Sequence, residues 1–428
     1  MITPLPSGLQ KTTNYKVVLP FYLYASISFI VATALLLVHT NITKAHHFNP
    51  HTLAITHILA LGWGTMIILG ASHQLLPVLV DGKLNSDVLA HLTFIFTAIG
   101  IPILVYAFYT FYTGWSMQIG AVFINIGVIC YVLNVFSSSF STPKRNVHAW
   151  FIITASIWLF STVFLGLLLV FNFSYLLLPK DSLSYLSIHA HLGIVGWFLL
   201  LVIGVGSRLI PMFLISKYTN DRNLWIVFWL INLGLISFLL IKFFGLNNHA
   251  FYFSVASILI AICIFGIHCK RAYAVRIRRN VDEQMKTSLI SVAQMLLPIV
   301  ALIITLCFLP TNKFPNMILL YGFCIFFGWL TAIILGMTFK TLPFIVWNKV
   351  YHTKAQNAKT PAPKELFNET VYQFMLYSYL LGFIVFIIGI ISLIDVILKI
   401  GAIVLFISAM LYVYNTSKVI FHKPQKTI

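Results

Sequence analysis

A chain of 428 residues that is 60% hydrophobic and 8% charged does not fold as a water-soluble globule. Its formal charge of +18 would suit a nucleic acid if it were gathered on one polar face, but it is scattered between apolar runs, which removes that class of partner. Five cysteines without a C-x-x-C spacing argue against a disulfide framework or a cysteine zinc site.

Apolar runs of about 20 residues or more, long enough to cross a bilayer, follow one another along the chain. Backbone in lipid must be hydrogen-bonded within its own segment or a closed barrel, so these runs predict helices. The first covers 17–39 and ends at His39, with His46 and His47 in the connection that follows. The second, 52–80, carries His57, His73 and the pattern Gly62-Trp63-x6-Gly70-x6-Pro77; His51 stands a turn and a half before His57. The third, 88–113, opens with His91, and the fourth is 115–138. The fifth, 148–173, begins at His148. The sixth, 186–214, carries His189, His191 and the same pattern as Gly196-Trp197-x6-Gly204-x6-Pro211.

The seventh and eighth, 223–245 and 249–267, are flanked by His249 and His268. The ninth is 287–309. The tenth, 315–345, repeats the pattern as Gly328-Trp329-x6-Gly336-x6-Pro343, with Phe323 where the other copies have His57 and His191. The eleventh and twelfth are 370–394 and 396–416. No short apolar segment with a small-residue cleavage site opens the chain, so no removable signal peptide is expected.

The three copies of the pattern lie 134 and 132 residues apart and divide twelve helices into three groups of four. The expectation is an all-α polytopic membrane protein, a single domain over 1–428 with repeats at approximately 17–147, 148–279 and 280–428. An even number of helices per repeat makes the copies run parallel. At roughly 100° per residue, Gly62, Gly70 and Pro77 share one side of an α-helix, a stripe along which a neighbouring helix or a flat ligand can approach the backbone.

Basic residues set the expected orientation. With the N-terminus inside, the inner connections collect Lys11, Lys16, Lys83, Lys144, Arg145, Lys217, Arg222, the Arg271–Arg279 cluster, the Lys349–Lys364 run, Lys418, Lys423 and Lys426. The outer side keeps Lys44, Lys180, Lys313 and Lys399, with Lys242 near its helix end. The positive-inside rule therefore places both termini in the cytoplasm of an inner (cytoplasmic) membrane. The basic segment RAYAVRIRR is suited to anionic lipid heads.

Of the 14 histidines, His39, His46, His47, His51, His148, His249, His268, His352 and His422 are expected to be peripheral, solvated or interfacial. His73 and His91 lie on the inner side; structural polar packing is the preferred reading there, with His51, His73 and His91 as second-tier site candidates. His57, His189 and His191 fall in the outer halves of their helices at similar depth. Residues two apart point roughly 200° from one another on a helix, so His189 and His191 serve two different sides rather than one small ion. Neutral imidazole binds haem iron and copper well. All nine acidic residues lie in connections or at helix edges, which weighs against an ion-coupled carrier or proton pump.

Twelve helices in three groups of four, with outer-half histidines on the second helix of a group, resemble subunit I of the haem-copper oxidases. HAHLGIVGWFLLLVIGVGSRLIP, 189–211, is similar to the HAHEMLFG-type segment of the NnrS family, divergent relatives associated with nitric-oxide metabolism. THILALGWGTMIILGASHQLLP, 56–77, resembles the oxidase helix that ligates the low-spin haem. The resemblance implies haem b, with copper as a second candidate, and an electron-donor subunit or quinol as partner beside the lipid bilayer. It implies His57 and one of His189 or His191 as axial ligands of one haem, the other helix-six histidine facing a second site.

The departures are specific. Oxidases carry a histidine pair on helix ten, where this chain has Tyr321 and Phe323, and a further pair on helix seven, where it has none. The expectation is thus an oxidoreductase without a complete oxygen-reducing binuclear centre, used for electron transfer or nitric-oxide chemistry. The alternative is a non-redox carrier or assembly factor on the same scaffold.

Overall fold

The computed structural model describes residues 13–141, 146–246, 250–277, 279–308, 315–351 and 360–424. Lys11, Lys144, Arg145, His249, Arg278, Lys313, His352 and Lys426 lie outside the described residues. Twelve helices among those described are long and apolar enough to cross a membrane. They are α1 (Tyr15–Val38), α2 (Pro50–Leu79), α3 (Asp87–Thr110), α4 (Trp115–Phe140), α5 (Val147–Tyr175) and α6 (Ser182–Phe213). They continue as α7 (Asp221–Phe244), α8 (Ala250–Ala274), α9 (Glu283–Thr305), α10 (Asn316–Tyr351), α11 (Glu369–Ser392) and α12 (Asp395–Ile420). The fold is all-α and membrane-spanning.

Local chemistry fixes the helix ends. Pro50 opens α2 behind Asn49, whose side chain accepts from His51 N, and Asn146 and Asn368 cap α5 and α11 in the same way. Gly245 ends α7 in the left-handed conformation at φ 62°. In α9 the turn at Met295 divides the helix, because Pro298 cannot donate to the Gln294 carbonyl and its ring crowds it.

The helices form two compact units. One holds α4–α8 with the last part of α2 and most of α3; the other holds α9–α12 with most of α1, the first part of α2 and the end of α3. The exposed side chains of α7 step along one face as Ile226, Trp229, Leu233, Ile236 and Leu240, and those of α11 as Phe374, Tyr377, Leu381, Ile384, Ile388 and Ile391. Stripes of that length and apolarity need lipid rather than water against them.

Each motif helix is interrupted at the same register by a π-helical stretch, Ile58–Thr65 in α2, Leu192–Leu199 in α6 and Cys324–Leu330 in α10. Each begins at the residue after His57, His191 or Phe323. The wider turn releases carbonyls from the α-helical pattern. In α10 the hydroxyl of Tyr379 donates to Phe327 O and Gly328 O, both at 2.8 Å, and Ser291 Oγ donates to Trp329 O at 2.8 Å. The angular spacing of Gly62, Gly70 and Pro77 expected for an uninterrupted α-helix does not carry across this stretch.

The motif glycines receive the preceding helix. A methyl group at Gly62 would lie 2.7 Å from Ser28 Oγ of α1, at Gly196 2.7 Å from Trp158 Cβ of α5, and at Gly336 2.7 Å from the Gln284 carbonyl of α9. The motif proline removes one donor per helix, and at Pro77 the carbonyl it strands, His73 O, accepts instead from Thr13 Oγ1 at 2.9 Å.

An asparagine clamp recurs as well. Asn134 of α4 brackets the residue before α3, accepting from Ser86 N at 3.1 Å and donating to Ser86 O at 2.8 Å. Asn415 of α12 does the same to Asn368 before α11, at 2.8 and 2.9 Å. The corresponding residue of the middle group is His268 on α8. It is 2% exposed rather than peripheral, its ring edge-on to Tyr218 with centroids 5.0 Å apart. His148 is enclosed too, its Nδ1 donating to Gly204 O at 3.1 Å. Both histidines expected at the periphery are held inside by the packing of α5 and α8 against α6.

Candidate functional site

His57 is the last residue before the π stretch of α2. Its Nδ1 donates to Leu53 O, one turn back, at 2.7 Å, and its ring stacks on Phe108 of α3 with centroids 4.3 Å apart. His191 stands at the same point of α6 with the same bond, Nδ1 to Ser187 O at 2.7 Å. Its ring lies against Phe238 of α7, centroids 4.6 Å apart. A carbonyl can only accept, so each bond places the proton of the neutral imidazole on Nδ1 and the lone pair on Nε2. That is the tautomer in which a histidine binds iron or copper through Nε2, with its other nitrogen held by a carbonyl.

His189 turns the other way. Its Nδ1 donates to Thr162 O of α5 at 3.1 Å, and Gly166 makes room for it, since a methyl there would sit 2.9 Å from His189 Cε1. His189 therefore faces α5 while His191 faces α7.

The second-tier histidines are separate. His73 is buried against Tyr131 (centroids 5.5 Å, near perpendicular), and His91 is exposed at the start of α3. His51 stacks face to face on His39, centroids 3.9 Å and planes 11° apart, and His39 Nε2 meets Tyr109 OH at 3.1 Å. Outside the spans, burial first and the charge of His51 second hold His39 below the usual imidazole range; burial and His46 do the same to His47.

The α10 position is closed. Phe323 is 7% exposed and stacks with Phe386 (4.7 Å), Phe327 (4.9 Å) and Phe383 (5.5 Å). Trp63 stacks on Phe29 with centroids 4.4 Å apart and donates from Nε1 to Thr331 Oγ1 at 3.1 Å. Aromatic rings and a hydroxyl thus occupy the ground between the π stretches of α2 and α10. The oxidase-type pair of helix-ten ligands does not fit here, whereas the donor chemistry of His57, His189 and His191 fits haem iron or copper. No group of three or more His, Cys, Asp or Glu able to hold a metal ion occurs among the described residues.

Three features escaped the sequence reading: the π stretches, the asparagine clamp, and an ion pair between Asp282, which caps α9, and Lys340 of α10, whose side chain is 10% exposed. The clamp had a signal, since Asn134, His268 and Asn415 lie 48, 48 and 47 residues after Ser86, Asn220 and Asn368, which precede the third helix of each group of four.

No protein-family model matches the chain, and no curated protein does. A solved structure does: a haem-copper terminal oxidase, described as a dimer by cryo-electron microscopy with insights into its catalytic mechanism, superposes with a TM-score of 0.68 at 10% identity. The match covers 97% of this chain and 86% of that one. In fold, this chain is similar to a haem-copper terminal oxidase, with twelve helices among the described residues long and apolar enough to cross a membrane.

Proposed function

We propose that the chain is a membrane haem protein in which His57 and His191 are each candidate ligands of haem b, and in which His189 faces a second site for haem or copper. The observation that carries this reading is the shared local geometry of His57 and His191. Each ends its α-helical segment at a π stretch, is locked by an i−4 carbonyl, and lies against a phenylalanine of the following helix. Stretches of π-helix concentrate at functional positions, and a packing role alone does not require the same tautomer twice.

When bound, a haem held by two histidines would supply one-electron chemistry, and gas binding would fall to a haem or copper at the second site. The protein's own residues do the rest. The Leu53 and Ser187 carbonyls orient the imidazoles and strengthen them as donors, and Phe108 and Phe238 shield them from water. Electron transfer or nitric-oxide handling suits this ligand set better than oxygen reduction, because α7 contains no histidine and α10 offers Phe323. The electron source would be a donor subunit or quinol. The positive-inside pattern supports an inner membrane with both termini cytoplasmic. The recurring glycine contacts and clamps support reading 17–147, 148–279 and 280–428 as three copies of one four-helix unit.

A second reading is a carrier or assembly factor that has lost its cofactors, and the aromatic stack around Phe323 favours it. Expression with ample haem, purification in mild detergent and a reduced-minus-oxidised spectrum separate the two. The haem reading predicts a Soret band and sharp α and β bands that fall in His57→Ala and His191→Ala. A colourless protein without iron or copper by elemental analysis leaves the carrier reading.

A further inference from the structure

Just beyond the ends of α6 and α8, a short backbone clip joins two connections. Ser216 and Arg276 form an isolated antiparallel bridge, with Ile277 N donating to Ile215 O at 3.2 Å. The clip fixes two kinds of side chain together at one membrane boundary. Met212, Ile215, Val275 and Ile277 are exposed by 47%, 55%, 55% and 61%. Around them Lys217, Lys270 and Arg271 are exposed, and Arg276 lies over the Tyr273 ring at 3.8 Å with Nη1 on Tyr273 O at 2.8 Å. The two connections end on carboxylates, Asp221 beside Arg222 at the start of α7 and Asp282, which caps α9 and pairs with Lys340.

We infer that this clip is a binding site for an anionic phospholipid, whose phosphate is held by Lys217, Lys270, Arg271 and Arg276 while its chains lie on Ile215, Val275 and Ile277. Charge complementarity supplies the first half of the argument, since cations at a bilayer surface attract anionic headgroups. The exposed isoleucines supply the second. A free phosphate needs no apolar neighbours, and three large apolar side chains past the helix ends, with Met212 on the last turn of α6, are covered only if acyl chains or the interface reach them. The tyrosine beneath Arg276 belongs at the same depth, where aromatic rings with a polar edge collect. The site is independent of any haem.

Native mass spectrometry of the full-length protein in mild detergent tests it. The protein is titrated with phosphatidylglycerol and, separately, with phosphatidylcholine of the same chains, with and without excess inorganic phosphate. Phosphatidylglycerol adducts should exceed phosphatidylcholine adducts and survive phosphate. They should weaken roughly fivefold for each cation removed in Lys217→Gln, Lys270→Gln and Arg271→Gln. Ile215→Gln with Ile277→Gln should weaken lipid alone. Equal binding of the two lipids overturns the site, as does unchanged phosphatidylglycerol binding by charge variants of unaltered helicity. Full displacement by phosphate with no effect of the isoleucine changes shows an anion site and overturns the lipid assignment. Variants that lose helicity are replaced by a salt titration of the unaltered protein, where salt-insensitive binding overturns the site.

Discussion

The imidazole of His57 lies face to face with the ring of Phe108, centroids 4.3 Å apart and planes 26° from parallel. His191 lies against Phe238 more steeply, centroids 4.6 Å apart and planes tilted by 37°, and Phe323, which stands at that point of α10, stacks on Phe383 and Phe386 of α11. In all three groups the residue ahead of the π stretch is thus packed on phenylalanine of the next helix. Two of the three positions carry histidine there, and the third carries an aromatic plug.

The plug makes a prediction about α10. Phe323→Ala should cost about 3 kcal/mol or more, by emptying a space that Phe327, Phe383 and Phe386 line. Thermal unfolding in detergent reads the loss. The haem content per chain, where haem is bound, should stay unchanged, because the position holds no ligand.

The clamps are testable against each other. Asn134→Ala and Asn415→Ala each strand a backbone N–H and carbonyl, a loss of about 1–3 kcal/mol apiece. His268→Asn restores to α8 the residue that α4 and α12 use, and should leave the melting temperature equal or higher. A marked drop would show that His268 has a role of its own.

Glycines separate by what surrounds them. Gly336→Ala pushes a methyl onto the Gln284 carbonyl of α9 and should destabilise by about 1–3 kcal/mol. Gly266→Ala on α8 meets nothing within 4 Å and should be neutral or gain up to about 1 kcal/mol from helix propensity. The same unfolding assay ranks them.

The pair His39 and His51 gives a pH dependence. Burial and the neighbouring imidazole hold His39 below its ordinary value of 6.5 when folded, so the unfolded chain takes up the proton more readily. The stability that neutral His39 contributes is present above that value and is withdrawn as the pH falls below it. Melting temperature should drop between pH 7.5 and pH 5, and His39→Gln should flatten the drop.

Much of the fold could be read from residue types, because a bilayer demands long apolar runs whose backbone groups bond within their own helix. The opposite facing of His189 and His191 followed from their separation of two residues on a helix. The π stretches could not be read, since an i→i+5 bond has no side-chain code beyond the glycines that tolerate it. His268 is buried against the ring of Tyr218, 50 residues earlier, and Lys340 meets Asp282 across 58 residues, so neighbours in sequence reveal neither. The plug around Phe323 was visible as a missing histidine, but its three phenylalanine partners were not.

The proposed role of His57 as an iron ligand is most directly tested by imidazole rescue. His57→Gly is expressed with ample haem and its reduced spectrum is recorded with and without free imidazole. The account predicts that the substitution diminishes the sharp α band of the unaltered protein and that imidazole, entering the vacated space, restores it. A band of unchanged height in His57→Gly, or no haem band in the unaltered protein, would contradict it.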